Sequence, residues 1–92
     1  MEAVDFSKLP EESKVYPATH PFRIIADAAT VRESLLLAAL AGYDVRSPLA
    51  RGRSSSGGKY VTYEVSVNFA DRATHLRFDA EIKSAPGVKI LL

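Results

Sequence analysis

The stretch Lys59-Tyr-Val-Thr-Tyr-Glu-Val-Ser-Val-Asn-Phe69 alternates apolar and polar side chains over its eleven residues. This period of two is typical of a β-strand with one buried face and one solvated face, as in an antiparallel sheet that is covered on one side only. The polar positions are predicted to face away from the core. The residues predicted to face the core are Val61, Tyr63, Val65, Val67 and Phe69.

A helix and a second strand are predicted after this strand. Asp71 is a good N-cap for a helix over about residues 72–85, whose inner stripe is Phe78, Ile82 and Ala85. Pro86-Gly87 ends that helix. The last strand is predicted over residues 88–92, with Val88, Ile90 and Leu92 on one side and Lys89 and Leu91 on the other.

The first half of the chain predicts the same order of elements. Phe22–Asp27 is expected to form a strand that follows Pro17 and Pro21, two prolines that fit the start of an edge strand. Thr30 and Glu33 have capping-box spacing before a helix over about residues 31–41. Gly42 is expected to stop this helix. The apolar band predicted for it comprises Val31, Leu35, Ala38 and Gly42, widened by Leu36, Leu37 and Leu40.

The second strand is predicted to start at Tyr43–Ser47 and to be interrupted or bulged at Pro48. Residues 51–59 are predicted to form a flexible loop before the third strand. The resulting order, βαββαβ, predicts an α+β protein of the ferredoxin-like class. Right-handed crossovers then give a four-stranded antiparallel sheet with two helices on one face. Residues 1–15 are expected to be a flexible tail, and residues 16–92 a single domain.

Composition limits the classes of function. The chain has 92 residues, a formal net charge of +1 and no cysteine, so thiolate nucleophiles, disulfides and cysteine-based zinc sites are excluded. The longest apolar stretch, residues 35–41, is much shorter than the ~20 residues that cross a bilayer. The first residues lack the features of a secretory signal. We therefore expect a cytoplasmic protein with no membrane association.

Three segments carry a family resemblance. Ser55-Ser-Gly-Gly-Lys-Tyr60 with the alternating strand after it, Ala85-Pro-Gly-Val-Lys-Ile-Leu-Leu92, and the proline-rich stretch from Tyr16 to Ile25 resemble the YbeD-like family of small uncharacterised bacterial proteins. The resemblance covers about residues 16–92. It implies a fold similar to the regulatory ACT domains of amino-acid metabolism and a gene neighbourhood shared with lipoate-attachment enzymes. It implies no catalytic residue.

The candidate contact residues are basic. Arg46, Arg51, Arg53 and Lys59, together with Tyr60, surround the serine- and glycine-rich segment of the predicted loop and are candidates for contact with a ligand or a partner. Backbone amides of such a loop can bind an anion, but no helix N-terminus and no phosphate-loop pattern follows it. A mobile hairpin connection is the favoured interpretation of the loop.

Histidine offers one weak metal hypothesis. His75 has Asp71 and Asp79 at four residues on either side, a spacing that places the three side chains along one helix face. A solvated helix face with local charge pairs is the favoured interpretation, so no metal or other cofactor is expected. Nucleic-acid binding is also not expected. The outward positions of the third strand, residues 62, 64, 66 and 68, carry no aromatic side chain for base stacking, and only Tyr60 lies at the end of that face.

Two functions remain as hypotheses. The first is a non-catalytic regulatory or adaptor module that binds a small metabolite or a protein partner, with a homodimer possible through pairing of exposed strands. The second is a small enzyme that acts on an anionic substrate, with Arg46, Arg51, Arg53 and Lys59 as an anion clamp. The first is favoured because no base, nucleophile or metal set accompanies those cations in the sequence.

Overall fold

The computed structural model describes residues 15–54 and 56–92. The flexible tail expected over residues 1–15 lies outside the described residues except at Val15, whose side chain is exposed. The elements in chain order are β1 (Ala18–Asp27), α1 (Glu33–Leu40), β2 (Asp44–Ser54), β3 (Tyr60–Phe69), α2 (Arg72–Lys83) and β4 (Val88–Leu91), with a short 3₁₀ turn (Ser56–Gly58) between β2 and β3. The strands form one antiparallel sheet in the order β2-β3-β1-β4. The ferredoxin-like α+β prediction is confirmed.

The core lies between one face of the sheet and the two helices. All five residues of β3 that were predicted to face the core are buried, each at most 3% exposed. Ile24 and Ala26 of β1 lie on the same face and are fully buried. The helices complete this cluster with Leu36 and Leu40 from α1 and with Phe78 and Ile82 from α2. The other face of the sheet, here called the open face, carries no helix among the described elements.

Strand β1 is longer than predicted and lies in the interior of the sheet. It begins at Ala18 and pairs with β3 along its whole length, so the prediction of an edge strand is wrong. Pro21 is tolerated because β4 reaches only the C-terminal half of β1, where Ile24 lies opposite Leu91. The missing N–H of Pro21 therefore removes no bond to β4, which is consistent with the restriction of proline to positions of local edge character.

Helix α1 begins later than predicted, and the capping box is wrong. The N-cap is Arg32, whose side chain makes no capping hydrogen bond. Asp27 organises the preceding turn instead. Its carboxylate accepts a hydrogen bond from the Ala29 N–H at 2.9 Å, and its carbonyl accepts bonds from the N–H groups of Thr30 and Val31. Thr30 thus belongs to the turn that closes β1, and the helix starts beyond it.

The buried stripe of α1 also differs from the prediction. Leu36 and Leu40 are buried, whereas Leu35 is 43% exposed and Leu37 is 50% exposed. An eight-residue helix can direct only one narrow stripe at the sheet, so it leaves the remaining leucines on its surface. Gly42 plays no special part in ending the helix, because the C-cap is Ala41 in right-handed helical conformation and Gly42 does not have a positive φ.

A β-bulge changes the predicted alternation of β4. Ile25 pairs with Ile90, but the next residue of β1, Ala26, pairs with Val88, so Lys89 is an extra residue. A bulge of this kind moves the following side chains to the opposite face. Val88 and Leu91 therefore pack on the core and Ile90 is 46% exposed, which makes the predicted grouping of Val88 with Ile90 wrong.

The predicted N-cap of α2 is confirmed. The Asp71 carboxylate accepts hydrogen bonds from the backbone N–H and the hydroxyl of Thr74, both at 2.8 Å. The backbone hydrogen bond from Thr74 is the main cause that lowers the pKa of Asp71 below its ordinary value of 3.8. The ionised carboxylate is thus the form that the folded helix prefers.

Replacement of Asp71 by alanine is expected to lower the thermal midpoint at neutral pH by a few degrees, because the first turn of α2 loses its cap. Since folding lowers the pKa of this carboxyl, its contribution to stability is complete above the unfolded value of 3.8 and is lost as the pH falls below it. Asp71→Asn keeps an uncharged cap. Circular dichroism melts of wild type and Asp71→Asn should converge below that pH, and a constant difference between them would contradict the assignment.

Candidate functional site

Arg46, the first of the predicted contact residues, is held by a polar network on the open face. It is the extra residue of a bulge, because Val45 pairs with Val67 and Ser47 with Ser66. Its guanidinium donates to the Asp44 carboxylate at 2.8 Å. This hydrogen bond is the main cause that lowers the pKa of Asp44. Asp44 also accepts a bond from the Asn68 amide, so the cation of Arg46 is neutralised within β2 and β3.

Arg51 and Arg53 lie on β2 and not in a loop. Arg51 pairs with Tyr63, and Ser54 pairs with Val61, so the predicted flexible loop 51–59 is wrong for its first four residues. Both arginine side chains are exposed. Neither forms an ion pair within residues 15–54 and 56–92. The end of β2 therefore presents two positive charges that no acidic side chain of the described residues compensates.

Lys59 and Tyr60 lie at the other end of the hairpin connection. Lys59 is exposed, and its Nζ lies 5.4 Å from the centroid of the Tyr60 ring, a cation–π contact. The Lys59 carbonyl accepts a hydrogen bond from the Ala28 N–H at 2.9 Å, which fastens the start of β3 to the end of β1. Gly57 and Gly58 reverse the chain before it with φ values of 82° and 71°.

The four cations do not form one clamp. Arg46 and Arg53 are seven residues apart on the same strand, a distance of roughly 20 Å. Arg46 is already paired with Asp44, whereas Arg51, Arg53 and Lys59 lie toward the hairpin end. The structure thus divides the predicted set into one neutralised arginine and a basic end of the β2–β3 hairpin.

The two histidines meet in an aromatic cluster that sequence reasoning missed. Their ring centroids are 4.8 Å apart, although His20 lies on β1 and His75 on α2. His75 stacks on Phe69 with the ring centroids 4.4 Å apart and an interplanar angle of 5°. The hydroxyl of Tyr16 lies 2.9 Å from Nδ1 of His75. His20 continues the core-facing alternation of β1 by two residues, and this pattern could have revealed the cluster. The predicted strand began only at Phe22, so it did not include His20.

The weak metal hypothesis at His75 does not match this geometry. Asp71 is engaged in capping α2, and Asp79 forms an ion pair with Lys83 at 2.9 Å. His75 contacts aromatic rings of the core edge. The described residues contain no group of three or more histidine and acidic side chains arranged to hold a metal ion.

Two depressions flank the bulged part of β2. One lies on the helix side, between α1 and β2, and is lined by Leu37, Pro48 and Leu49 among others. The other, here called the open-face groove, has a volume of about 510 Å³ and is lined by Pro21, Arg23, Ser47, Pro48, Glu64, Ser66 and Leu92 among others. The sequence does not indicate the open-face groove, because its walls come from β1, β2 and β3, and their alignment depends on the β1–β3 register and on the bulges of β2.

Comparison with known proteins identifies the family of this chain. The sequence model of a family described as "Protein of unknown function (DUF493)" matches residues 11–92. The chain belongs to the DUF493 family. None of the curated proteins matches this DUF493 chain. Neither described helix has the length and apolar character needed to span a bilayer.

One solved structure supports the fold of this DUF493 protein. The solution structure of protein HP0495 from H. pylori superposes with a TM-score of 0.67 and 18% sequence identity. The match covers 100% of this chain and 97% of that chain. At this level of identity the likeness concerns the arrangement of strands and helices.

Proposed function

We propose that this DUF493 protein is a non-catalytic regulatory or adaptor module that binds an acidic, extended segment of a protein partner along strand β2. The observation that carries the proposal is the pair of exposed arginines, Arg51 and Arg53, which lie on an edge strand without a counter-ion in the described part of the chain. Uncompensated charge on an edge strand supports recognition of a strand of opposite charge.

The backbone of β2 supplies the second support. Among the described residues β2 is the last strand of the sheet and pairs with β3 alone, so its other side presents backbone N–H and C=O groups. An extended peptide can add to such an edge by main-chain hydrogen bonds. The irregular stretches of β2 limit this pairing to short segments, which favours a partner of matching shape over a long regular strand.

The helix-side depression supplies the third support. Leu37 is half exposed, and Leu49 is only partly buried beneath it. Pro48 joins them in lining the depression next to the strand edge. Alternate side chains of an added strand point to this side of the sheet and would bury the apolar surface. The proposed partner segment is therefore acidic near the end of the hairpin and apolar near α1.

The alternative functions have less support. A small enzyme acting on an anionic substrate would need the cations of Arg46, Arg51, Arg53 and Lys59 to converge, and Arg46 is paired with Asp44 away from the others. Base stacking on the open face would need several aromatic side chains. There β3 offers Thr62, Glu64, Ser66 and Asn68 with Tyr60 at its end, and β1 offers Arg23 and Ile25. Our proposal therefore includes no nucleic acid and no catalysis.

The YbeD-like and ACT-like resemblance adds a finer expectation. It supports the proposal that the partner is a regulated enzyme of lipoate attachment. From the composition of the chain we also propose that the interaction takes place in the cytoplasm. A small metabolite that modulates the contact, as in ACT domains, belongs to the same proposal. A homodimer, in which β2 of a second copy would occupy the edge, competes with this partner for the same surface.

Panning of random short peptides on the folded domain tests the docking surface. The recovered peptides are expected to be acidic, to shift the backbone amide resonances of Ala50–Ser54, and to bind more weakly as ionic strength rises. The double reversal Arg51→Glu with Arg53→Glu should weaken their binding about tenfold or more, since like charges then face each other.

The control has the same change of net charge at a different place. Arg32→Glu with Lys89→Glu reverses two exposed cations, one before α1 and one on β4, and should leave peptide affinity within about twofold. Equal losses in both double variants would show a non-specific charge effect and would contradict the β2 surface. If the protein forms a concentration-dependent dimer that excludes the peptides, the occupant of the β2 edge is a second copy of this chain and not another protein.

A further inference from the structure

Ser54 is the last residue of β2 and follows two arginines. Arg53 stands directly before it, and Arg51 stands three residues before it. The side chains of all three residues are exposed. No acidic residue occurs in residues 45–63, so the charge around Ser54 along the chain is positive only. An exposed serine hydroxyl after closely spaced cations has the kind of charge pattern by which protein kinases select their substrates.

The backbone before Ser54 is presented in the form that an enzyme can bind. Residues 51–54 are extended, and among the described elements only β3 pairs with this strand, on its inner side. An extended segment binds through main-chain hydrogen bonds while its side chains enter separate pockets. Carboxylates in such pockets would bind the guanidinium groups of Arg51 and Arg53 through paired N–H···O bonds. The hydroxyl of Ser54 would then lie beyond them as the acceptor.

No contact has to break before the Ser54 hydroxyl reacts. Within residues 15–54 and 56–92 the side chain of Ser54 forms no hydrogen bond. The chain reverses shortly afterwards at Gly57 and Gly58, which have positive φ values, so Ser54 lies close to the tip of the β2–β3 hairpin. A position at the tip of a hairpin leaves room for a second protein around the acceptor.

The other exposed serines of the described residues lack this pattern. Each of them has an acidic residue within the three preceding positions, which an acidic pocket would repel. Ser84 also donates a hydrogen bond from its hydroxyl to the Glu81 carbonyl at 3.0 Å. The serines with their acidic neighbours are Ser34 with Glu33, Ser47 with Asp44, and Ser84 with Glu81.

We propose that Ser54 is a phosphorylation site for a protein kinase that selects arginine before its acceptor. The Ser54 hydroxyl oxygen attacks the γ-phosphorus of a nucleoside triphosphate, and a new O–P bond forms. The bond between the γ-phosphorus and the bridging oxygen breaks, the nucleoside diphosphate leaves, and the hydroxyl proton passes to a base of the kinase. The product is a phosphate monoester beside two guanidinium groups.

Phosphorylation reverses the sign of the charge at Ser54 and cancels that of its neighbours. A phosphoserine carries about 1.5 to 2 negative charges at neutral pH, which is close to the combined positive charge of Arg51 and Arg53. The side chains around it are exposed, so the fold is retained. This consequence rests on the function proposed above: the acidic peptides that dock on β2 should bind the phosphorylated chain about tenfold or more weakly.

The test treats the full chain with a purified arginine-directed serine kinase and ATP. The intact mass is expected to rise by one phosphoryl group, fragmentation should place it on Ser54, and Ser54→Ala should stay unmodified. Arg51→Gln with Arg53→Gln should lower the kcat/KM of the transfer about tenfold or more. The control Arg32→Gln with Lys89→Gln, which also removes two exposed cations, should stay within about twofold, and Ser84→Ala should react like wild type.

The outcomes separate this inference from the proposed function. Absence of transfer, transfer to another serine such as Ser56, or equal losses in the two double variants would overturn the assignment of Ser54. Equal affinity of acidic peptides for the phosphorylated and the unmodified chain would overturn the charge switch. If no acidic peptide binds even the unmodified chain, the proposed function is wrong, and the intact mass with its fragmentation still decides whether Ser54 is the acceptor.

Discussion

Replacement of Phe78 by alanine is expected to lower the free energy of unfolding by about 3–5 kcal/mol. Phe78 is fully buried, and its ring centroid lies 4.6 Å from that of Phe22, 5.2 Å from that of Tyr43 and 5.3 Å from that of Phe69. The ring thus joins α2 to β1, to β3 and to the residue that precedes β2. A typical domain has a total stability of about 5–15 kcal/mol, so the loss would be a large part of it.

Urea unfolding followed by circular dichroism measures this loss. The control is Leu76→Ala, two residues away on the same helix, because Leu76 is 50% exposed and touches less of the core. Its effect is expected to stay within about 1 kcal/mol. If Phe78→Ala cost no more than Leu76→Ala, Phe78 would not be the contact that joins α2 to the sheet.

Gly87→Ala is expected to cost about 2–5 kcal/mol for two separate reasons. Gly87 has a φ of 84°, a conformation that costs other residues roughly 1–2 kcal/mol. A Cβ at this position would also lie 2.6 Å from the backbone N and 2.8 Å from the Cα of Val31. Backbone atoms cannot move aside as a flexible side chain does, and overpacking of this kind costs about 1–3 kcal/mol. The carbonyl of Gly87 accepts a hydrogen bond from Asp27 at 2.7 Å, which fixes the approach.

Two other glycines separate these reasons in the same unfolding assay. Gly57 has a φ of 82° but open space around its Cβ position, so Gly57→Ala should show the conformational cost alone. Gly42 has open space and no positive φ, so Gly42→Ala should be neutral or stabilising by up to about 1 kcal/mol. An equal cost at Gly87 and Gly57 would show that the close approach to Val31 contributes nothing.

The sequence predicts the centre of the fold better than its margins. The alternation of β3 and the cap at Asp71 are local patterns, and both are found as predicted. The predicted start of α1 at Thr30 is wrong because the carbonyl and carboxylate of Asp27 take the nearby N–H groups. The predicted alternation of β4 is wrong because Lys89 is an extra residue opposite β1. A bulge depends on pairing with another strand, so its position is not a local property of the sequence.

The same reason limits prediction of the candidate site. The basic residues were recognisable, but whether they converge depends on three irregularities in the register of β2. Residues 51–54 read as a loop because glycine and arginine lack strand propensity, whereas pairing with β3 extends the strand through them. Arg23 and Glu64 lie next to each other on the open face because of the β1–β3 register. No pattern within either strand reveals that register.

The exposed end of β2 has a consequence for local motion. Every described side chain from Ala50 to Ser54 is exposed, so this end can separate from β3 without opening the buried core. Such segments open with a free energy far below that of global unfolding, and their amide hydrogens exchange early. A molecule bound there would slow this exchange. The melting temperature of the whole domain would rise only to the extent that the molecule prefers the folded over the unfolded chain.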